Sequence, residues 1–351
     1  HEGGGPIAED YSETMSVCPD LIRACKGPRL PGGKDFQADV PYSYHVNAIE
    51  LAKILMEHGT GQLGVRHIYD DVLDVRMDER GFVSALELEE RGTHEIEFII
   101  DGTGFASVII GKKMGEPFEP YDNYLLNDRA AVAQIPHEDP TRIEPTSRAT
   151  AMKAGWSFRV PLFNRVGSGY IFSSRFISDD EAIAEFLNHA GPIARDASPR
   201  VIRMRIGKTR RSRVKNCLAL GLSSGFVEPL EATAIYSVQM ALMWLIRYFP
   251  DTDFNPALEQ RYNELIDGLY REIVDFIVLT FYLSNRDDSA FWRAVREEMK
   301  VPESLRQNLE LWLHAMPDTL DMPGAQFFTP NSYRCALMGK QFYRGRTFAP
   351  A

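Results

Sequence analysis

Cysteine is scarce. Cys18, Cys25, Cys217 and Cys335 are the only four, and no two of them form a CxxC pair. That excludes a disulfide framework and fits free thiols in a reducing cytoplasm. Long apolar runs are also missing. The longest candidate, Val238 to Phe249, falls short of the roughly 20 residues that a bilayer requires and ends in RYFPD. No membrane contact is therefore expected. Positive charge is in deficit, with a formal net charge of −10, which argues against nucleic-acid partners. No His/Cys/Asp cluster has metal-ligand spacing, so no metal is expected. No repeat, low-complexity tract or signal peptide is visible, and the chain begins with His1, which reads as an interior point of a longer protein. No GxGxxG follows a predicted strand. HEGGGP at the start is glycine-rich but has neither a strand before it nor a helix after it.

The residues present are those of an ordinary soluble globular chain, 44% hydrophobic and 25% charged. The 351 residues suffice for two large domains or one extended one. Residues 1–40 read as an irregular leader with a short helix near DLIRACK. HVNAIELAKILMEHG predicts a helix capped by Asn47, with Glu50 in capping-box position, Gly59 as its stop and Ile49, Ala52, Ile54 and Leu55 along one side. Three alternating runs, VRHIYDDVLDVRM, GFVSALELEE and HEIEFIID, are joined by the turn signals DERG and ERGT and predict an antiparallel meander. GWSFRVPL and GSGYIFSS predict a further strand pair. DDEAIAEFLNHA predicts a helix capped by Asp179 or Asp180, and RVIRMRIGK a strand. From Pro229 to about Trp312 the pattern is helical, with breaks near Pro250 and Ser284. The expected class is mixed α/β (α+β), with a mixed-sheet region over 41–236 and a helical region over 237–351.

Between the apolar run CLALGL and the segment SVQMALMWLIRYF lies GLSSGFVEPLEATAIY, Gly221 to Tyr236. Pro229 suits the first turn of a helix. The N–H groups of Glu231, Ala232, Thr233 and Ala234 would then lie near a helix N-terminus, where they lack intrahelical acceptors and favour an anion. Read without a guest, Glu228 and Glu231 simply favour the first turn of a core helix by charge. The run Arg210, Arg211, Arg213, Lys215 reads as a solvated strand end, and His45 as a packed or surface histidine.

Several ordered segments resemble the flavin-dependent tryptophan halogenases. GLSSGFVEPLEATAIY, preceded by KNC, is similar to that family's GLxSGFLEPLEST. YSYHVNAIELAKIL, FIIDGTGFASVII and GWSFRVPLFNRVGSGYIFSS follow its YHFDA, FIDCSGFRGLLI and GWxWRIPL segments in order. VDFIVLTFYLSNRDDSAFW is similar to one of its C-terminal helices. The resemblance covers about residues 40 to 300. It implies a GR2-like, monooxygenase-like FAD-binding fold, here without the N-terminal dinucleotide-binding βαβ unit.

The resemblance further implies that reduced FAD reacts with dioxygen to give a flavin hydroperoxide, that halide is oxidised to hypohalous acid, and that this acid reaches a separate electron-rich aromatic, tryptophan or another indole. Glu231 matches the catalytic glutamate. Thr233 and Ala234 match the halide-binding amides. Leu222 and Ile235 match flavin contacts, and Val72 a backbone contact to the adenine end. Trp156 matches the first tryptophan of the WxWxIP signature, which screens the flavin from substrate and water; Phe158 replaces the second. The family's catalytic lysine belongs upstream of YSYHV; Lys26 and Lys34 lack the matching context, and none is assigned. A separate flavin reductase and a homodimer are implied by the resemblance alone. Two alternatives stay open: a related flavin monooxygenase, although Leu222 stands where the hydroxylase GD motif carries aspartate, and a catalytically silent relative.

Overall fold

The computed structural model describes residues 16–343, apart from 31, 35, 36, 39 and 41; HEGGGP lies outside them. The first described helices are α1 (Cys18–Arg23), at the expected DLIRACK, and α2 (Ala48–Gln62). Asn47 caps α2 by accepting from the Ile49 amide at 3.2 Å. The helix does not stop at Gly59. A lone glycine only lowers helix propensity, and the Gly59 carbonyl instead accepts from the Leu63 and Val65 amides beyond the last turn. No residue of α2 is buried, so its apolar side chains Ile49, Ile54 and Leu55 are exposed.

The early strands are β1 (Val72–Met77), β2 (Val83–Leu88), β3 (Gly92–Glu95) and β4 (Ile99–Asp101). Next come β5 (Phe118–Pro120), β6 (Arg129–Ile135), β7 (Arg148–Met152), β8 (Gly155–Pro161) and β9 (Val166–Phe172). Helix α3 (Asp179–Ala190) precedes β10 (Arg200–Arg203), β11 (Gly207–Thr209), β12 (Arg213–Val214), β13 (Cys217–Ala219) and β14 (Gly225–Phe226). Five helices end the described chain: α4 (Ala234–Arg247), α5 (Pro256–Tyr282), α6 (Ala290–Glu297), α7 (Glu303–Trp312) and α8 (Pro330–Gly339).

The meander forms as β1-β2-β3, but the third predicted run divides. Its second half, β4, leaves the meander and pairs parallel with β13. Asn216 accounts for the junction. Its side chain accepts from the Val83 amide at 3.0 Å and donates to the Val83 and Glu97 carbonyls at 2.7 and 3.1 Å, so the meander and the parallel pair are stitched by one amide. RVIRMRIGK also divides, with β10 at the edge of one sheet and β11 in another. Helix α3 is capped by Ser178 rather than by an aspartate, with Glu181 completing a capping box.

The largest sheet is antiparallel in the order β10-β6-β9-β8-β7. Phe158 on β8 lies over Gly169 on β9, where an added Cβ would come within 2.7 Å of both the ring and the Ala131 carbonyl. Residues from both faces of this sheet join α3 and the C-terminal helices in the main core. That core includes Tyr170, Phe172 and Phe186 together with Tyr262, Ile277 and Trp312, and so draws on both sides of residue 236. No helix among the described residues is long and apolar enough to cross a membrane.

Candidate active site

The parallel pair β4–β13 ends at Asp101 and Ala219, and open α/β sheets bind ligands beyond such carboxyl ends. Asp101 is fully buried. Its carboxylate accepts from the Thr103 amide and hydroxyl at 3.0 and 2.6 Å and from the Ile109 and Ile110 amides at 3.0 and 2.9 Å. This fixes the DGTG loop after β4. After β13 the chain turns through Gly221, whose φ of +63° suits glycine. Ser223 holds that turn against the first loop: its hydroxyl donates to the Asp101 carbonyl, and its own carbonyl accepts from the Ser107 hydroxyl at 3.2 Å.

Beyond β14 the expected continuous helix from Pro229 is interrupted. Pro229–Glu231 form a separate 3₁₀ turn, closed by Ala232 N–H donating to the Pro229 carbonyl at 3.0 Å. Ala232 then adopts a left-handed φ of +52°, and α4 begins only at Ala234. Thr233 is the N-cap residue, yet its side chain makes no capping bond. Its carbonyl accepts both the Ser237 amide and the Ser237 hydroxyl at 2.9 Å. The first-turn amides of α4 therefore carry the partial positive charge of a helix start without a side chain of their own to answer it.

These pieces enclose an apolar cavity of about 280 Å³. The turn after β13, including Leu220, Gly221 and Leu222, forms one wall, and Pro229, Ala232, Thr233, Ala234 and Ile235 another. Ile266, Leu269, Tyr270 and Ile273 of α5 close the back. Of the residues singled out in the sequence, Leu222, Thr233, Ala234 and Ile235 thus share one wall system. Leu222 and Ile235 are 39% and 51% exposed. Glu231 lies between the lining residues Pro229 and Ala232. The residue as a whole is exposed, yet the surrounding protein strips enough water from its carboxyl to push it up to about 7. Val72 lies apart, on the meander strand β1 paired with Leu88, and does not line the cavity.

Trp156 does not line this cavity either. It is buried in β8, and its indole N–H donates to Glu228 Oε1. The same oxygen accepts from Asn127 Nδ2 at 2.9 Å. Glu228 is only 1% exposed, and burial pushes its carboxyl up to about 7 against the opposing pull of those two donors. Among the described residues its other oxygen, Oε2, has no hydrogen-bond partner, and neither has Asn127 Oδ1. Glu228 is therefore not simply a first-turn charge answering a helix dipole, the reading its place in EPLE allowed. Its partners stand 72 and 101 residues away in the chain, out of reach of any local pattern. The basic run also differs from expectation. Arg213 is buried and donates to the Tyr248 carbonyl at 2.9 Å, while Arg211 pairs with Glu116 at 2.6 Å. Among the described residues no group of His, Cys, Asp and Glu side chains is placed to hold a metal.

Residues 8–349 match the tryptophan halogenase family model. The chain is 38% identical over 346 residues to the 7-chloro-L-tryptophan 6-halogenase KtzR of Kutzneria sp. (strain 744), covering 92% of this chain and 67% of that protein. It is 35% identical to the tryptophan 7-halogenase RebH of Lentzea aerocolonigenes, covering 95% and 65%. It therefore spans about two thirds of the length of these relatives. Among solved structures, Tar14, a tryptophan C-6 flavin-dependent halogenase (chlorinase) from taromycin biosynthesis, superimposes with a TM-score of 0.90 at 36% identity, covering 96% of this chain and 68% of that one.

Proposed function

Because the chain belongs to the tryptophan halogenase family, we propose that it takes part in flavin-dependent halogenation of tryptophan or another electron-rich indole, with reduced FAD delivered by a separate reductase. The observation that carries this reading is the apolar cavity opening onto the uncapped first turn of α4, at the carboxyl ends of the parallel strands. Apolar walls beside unanswered helix-start amides suit a flat ring system next to a small anion. The described residues offer the ring end of such a site; they contain no glycine-rich βαβ cradle for a dinucleotide phosphate. A bound reduced FAD would activate dioxygen, and the dioxygen would supply the oxidising equivalents for halide.

The chain's own residues then have distinct tasks. The Thr233 and Ala234 amides, which follow the left-handed bend at Ala232, hold the halide. Leu222 and Ile235 cover the ring edge and exclude water from the reacting side. Glu231 orients the electrophilic halogen and stabilises the cationic ring intermediate by its negative charge. A carboxyl pushed up to about 7 is also matched to accept the proton that leaves the ring carbon near neutral pH.

The test supplies FAD, a flavin reductase, NADH, bromide or chloride and tryptophan, with the product read by mass. A halogenated product is expected. Hydroxylated product would point to monooxygenase chemistry, and no flavin binding at all to a silent relative. Glu231→Gln should lower kcat by ~100-fold or more, the scale of removing one preorganised electrostatic contact. Flavin affinity should stay within twofold; equal loss of both would make Glu231 a structural residue.

A further inference from the structure

The turn that carries Glu231 and presents the α4 amides is weakly held by its own bonds. It closes through a single internal backbone bond, Ala232 N–H to the Pro229 carbonyl. Neither the turn nor α4 has a side-chain cap. Ala232 sits at φ +52°, a conformation that a non-glycine residue keeps only where its surroundings impose it. Among the described residues, the only side-chain hydrogen bonds that tie 227–232 to the rest of the chain are those received by Glu228, from Trp156 on β8 and from Asn127 just before β6. A buried carboxyl with one oxygen unpartnered is costly, and a leucine of similar length would avoid that cost. Its place, one residue before the turn, suggests what the cost secures.

We propose that Glu228 is a positioning residue: its buried carboxyl ties the Trp156 indole to the base of the 229–232 turn and thereby sets where Glu231 and the Thr233 and Ala234 amides stand. Trp156 acts here as an anchor through its N–H, a role separate from screening a flavin. The catalytic consequence rests on the halogenase reading, whereas the tether itself does not.

The experiment follows both ends of the tether by ¹H–¹⁵N NMR of the full chain. Four tryptophans give four indole N–H signals, and Trp156→Phe assigns one of them. In the unaltered protein the Trp156 indole proton should be displaced downfield and slow to exchange. Glu228→Leu should speed that exchange at least tenfold, move the amide signals of Ala232 to Ile235, and weaken chloride binding at those amides at least fivefold. Trp156→Phe should move the same amides, and it decides the matter where Glu228→Leu fails to fold. Glu228→Gln, which keeps the acceptor oxygen, should leave the amides and chloride affinity close to the original.

In the halogenation assay, Glu228→Leu should lower kcat at least tenfold with KM for tryptophan within twofold. Signals of Ala232 to Ile235 that stay in place in either disruptive variant, with the Trp244, Trp292 and Trp312 indoles unmoved, would overturn the proposal. So would a Glu228→Gln variant as impaired as Glu228→Leu. A chain that never halogenates but shows the NMR changes would refute the halogenase reading and leave the tether standing.

Discussion

Two glutamates three residues apart have opposite surroundings: Glu228 is sealed in the core, and Glu231 is exposed on the turn beside the cavity without lining it. Both carboxyls are pushed up to about 7 by lost water. For Glu228 the sign is definite. Its folded value lies above the ordinary 4.5, so the folded state holds an extra proton between these values and stability falls as pH rises from about 4.5 to about 7. The loss is on the order of 3 kcal/mol for a fully buried group. Glu228→Gln should remove this slope, so that denaturant unfolding at about pH 5 and about pH 8 gives a smaller difference for the variant than for the original. An unchanged difference would mean that Glu228 stays ionised. At this scale the sequence was only half legible. EPLE drew attention to both glutamates, but burial is decided by Trp156 and Asn127, which no local spacing could bring to Glu228.

The elements follow local rules until two sheets compete for one segment. Strand pairs joined by short turns, the Asn47 cap and the helix breaks near Pro250 and Ser284 were legible because each depends on residues a few positions apart. Other expectations failed, and not all of them for tertiary reasons. Ile99–Asp101 left the meander because β13 and Asn216 offered a better partner. Gly59 did not end α2, and Ala232 broke the helix expected from Pro229. The Asn216 stitch can be checked directly. Asn216→Ala leaves the Val83 amide and carbonyl without this partner, and should cost about 2–4 kcal/mol of unfolding free energy. A loss below about 1 kcal/mol in a denaturant titration would show that the junction is held by the strands themselves.

At the scale of the whole chain, a core spanning the large antiparallel sheet and the C-terminal helices supports a small parallel pair, and the cavity opens where that pair ends. Mixed α/β architecture was readable from the order of patterns. The assembly of Leu222, Thr233, Ala234 and Ile235 into one cavity was not readable from spacing; Pro229 and the expected helix start pointed to the Thr233 and Ala234 amides, and resemblance alone marked Leu222 and Ile235. Val72 lies outside that cavity, so its suggested contact with the adenine end concerns a different part of the surface. The central claim is that halide binds at the first turn of α4, beside the apolar cavity. A bromide-soaked crystal measured at the bromine absorption edge tests it most directly. The account predicts an anomalous peak within hydrogen-bonding distance of the Thr233 and Ala234 amides, which weakens when chloride is added in excess. Bromide peaks elsewhere on the molecule, with that first turn empty at saturating bromide and reduced flavin, would contradict it.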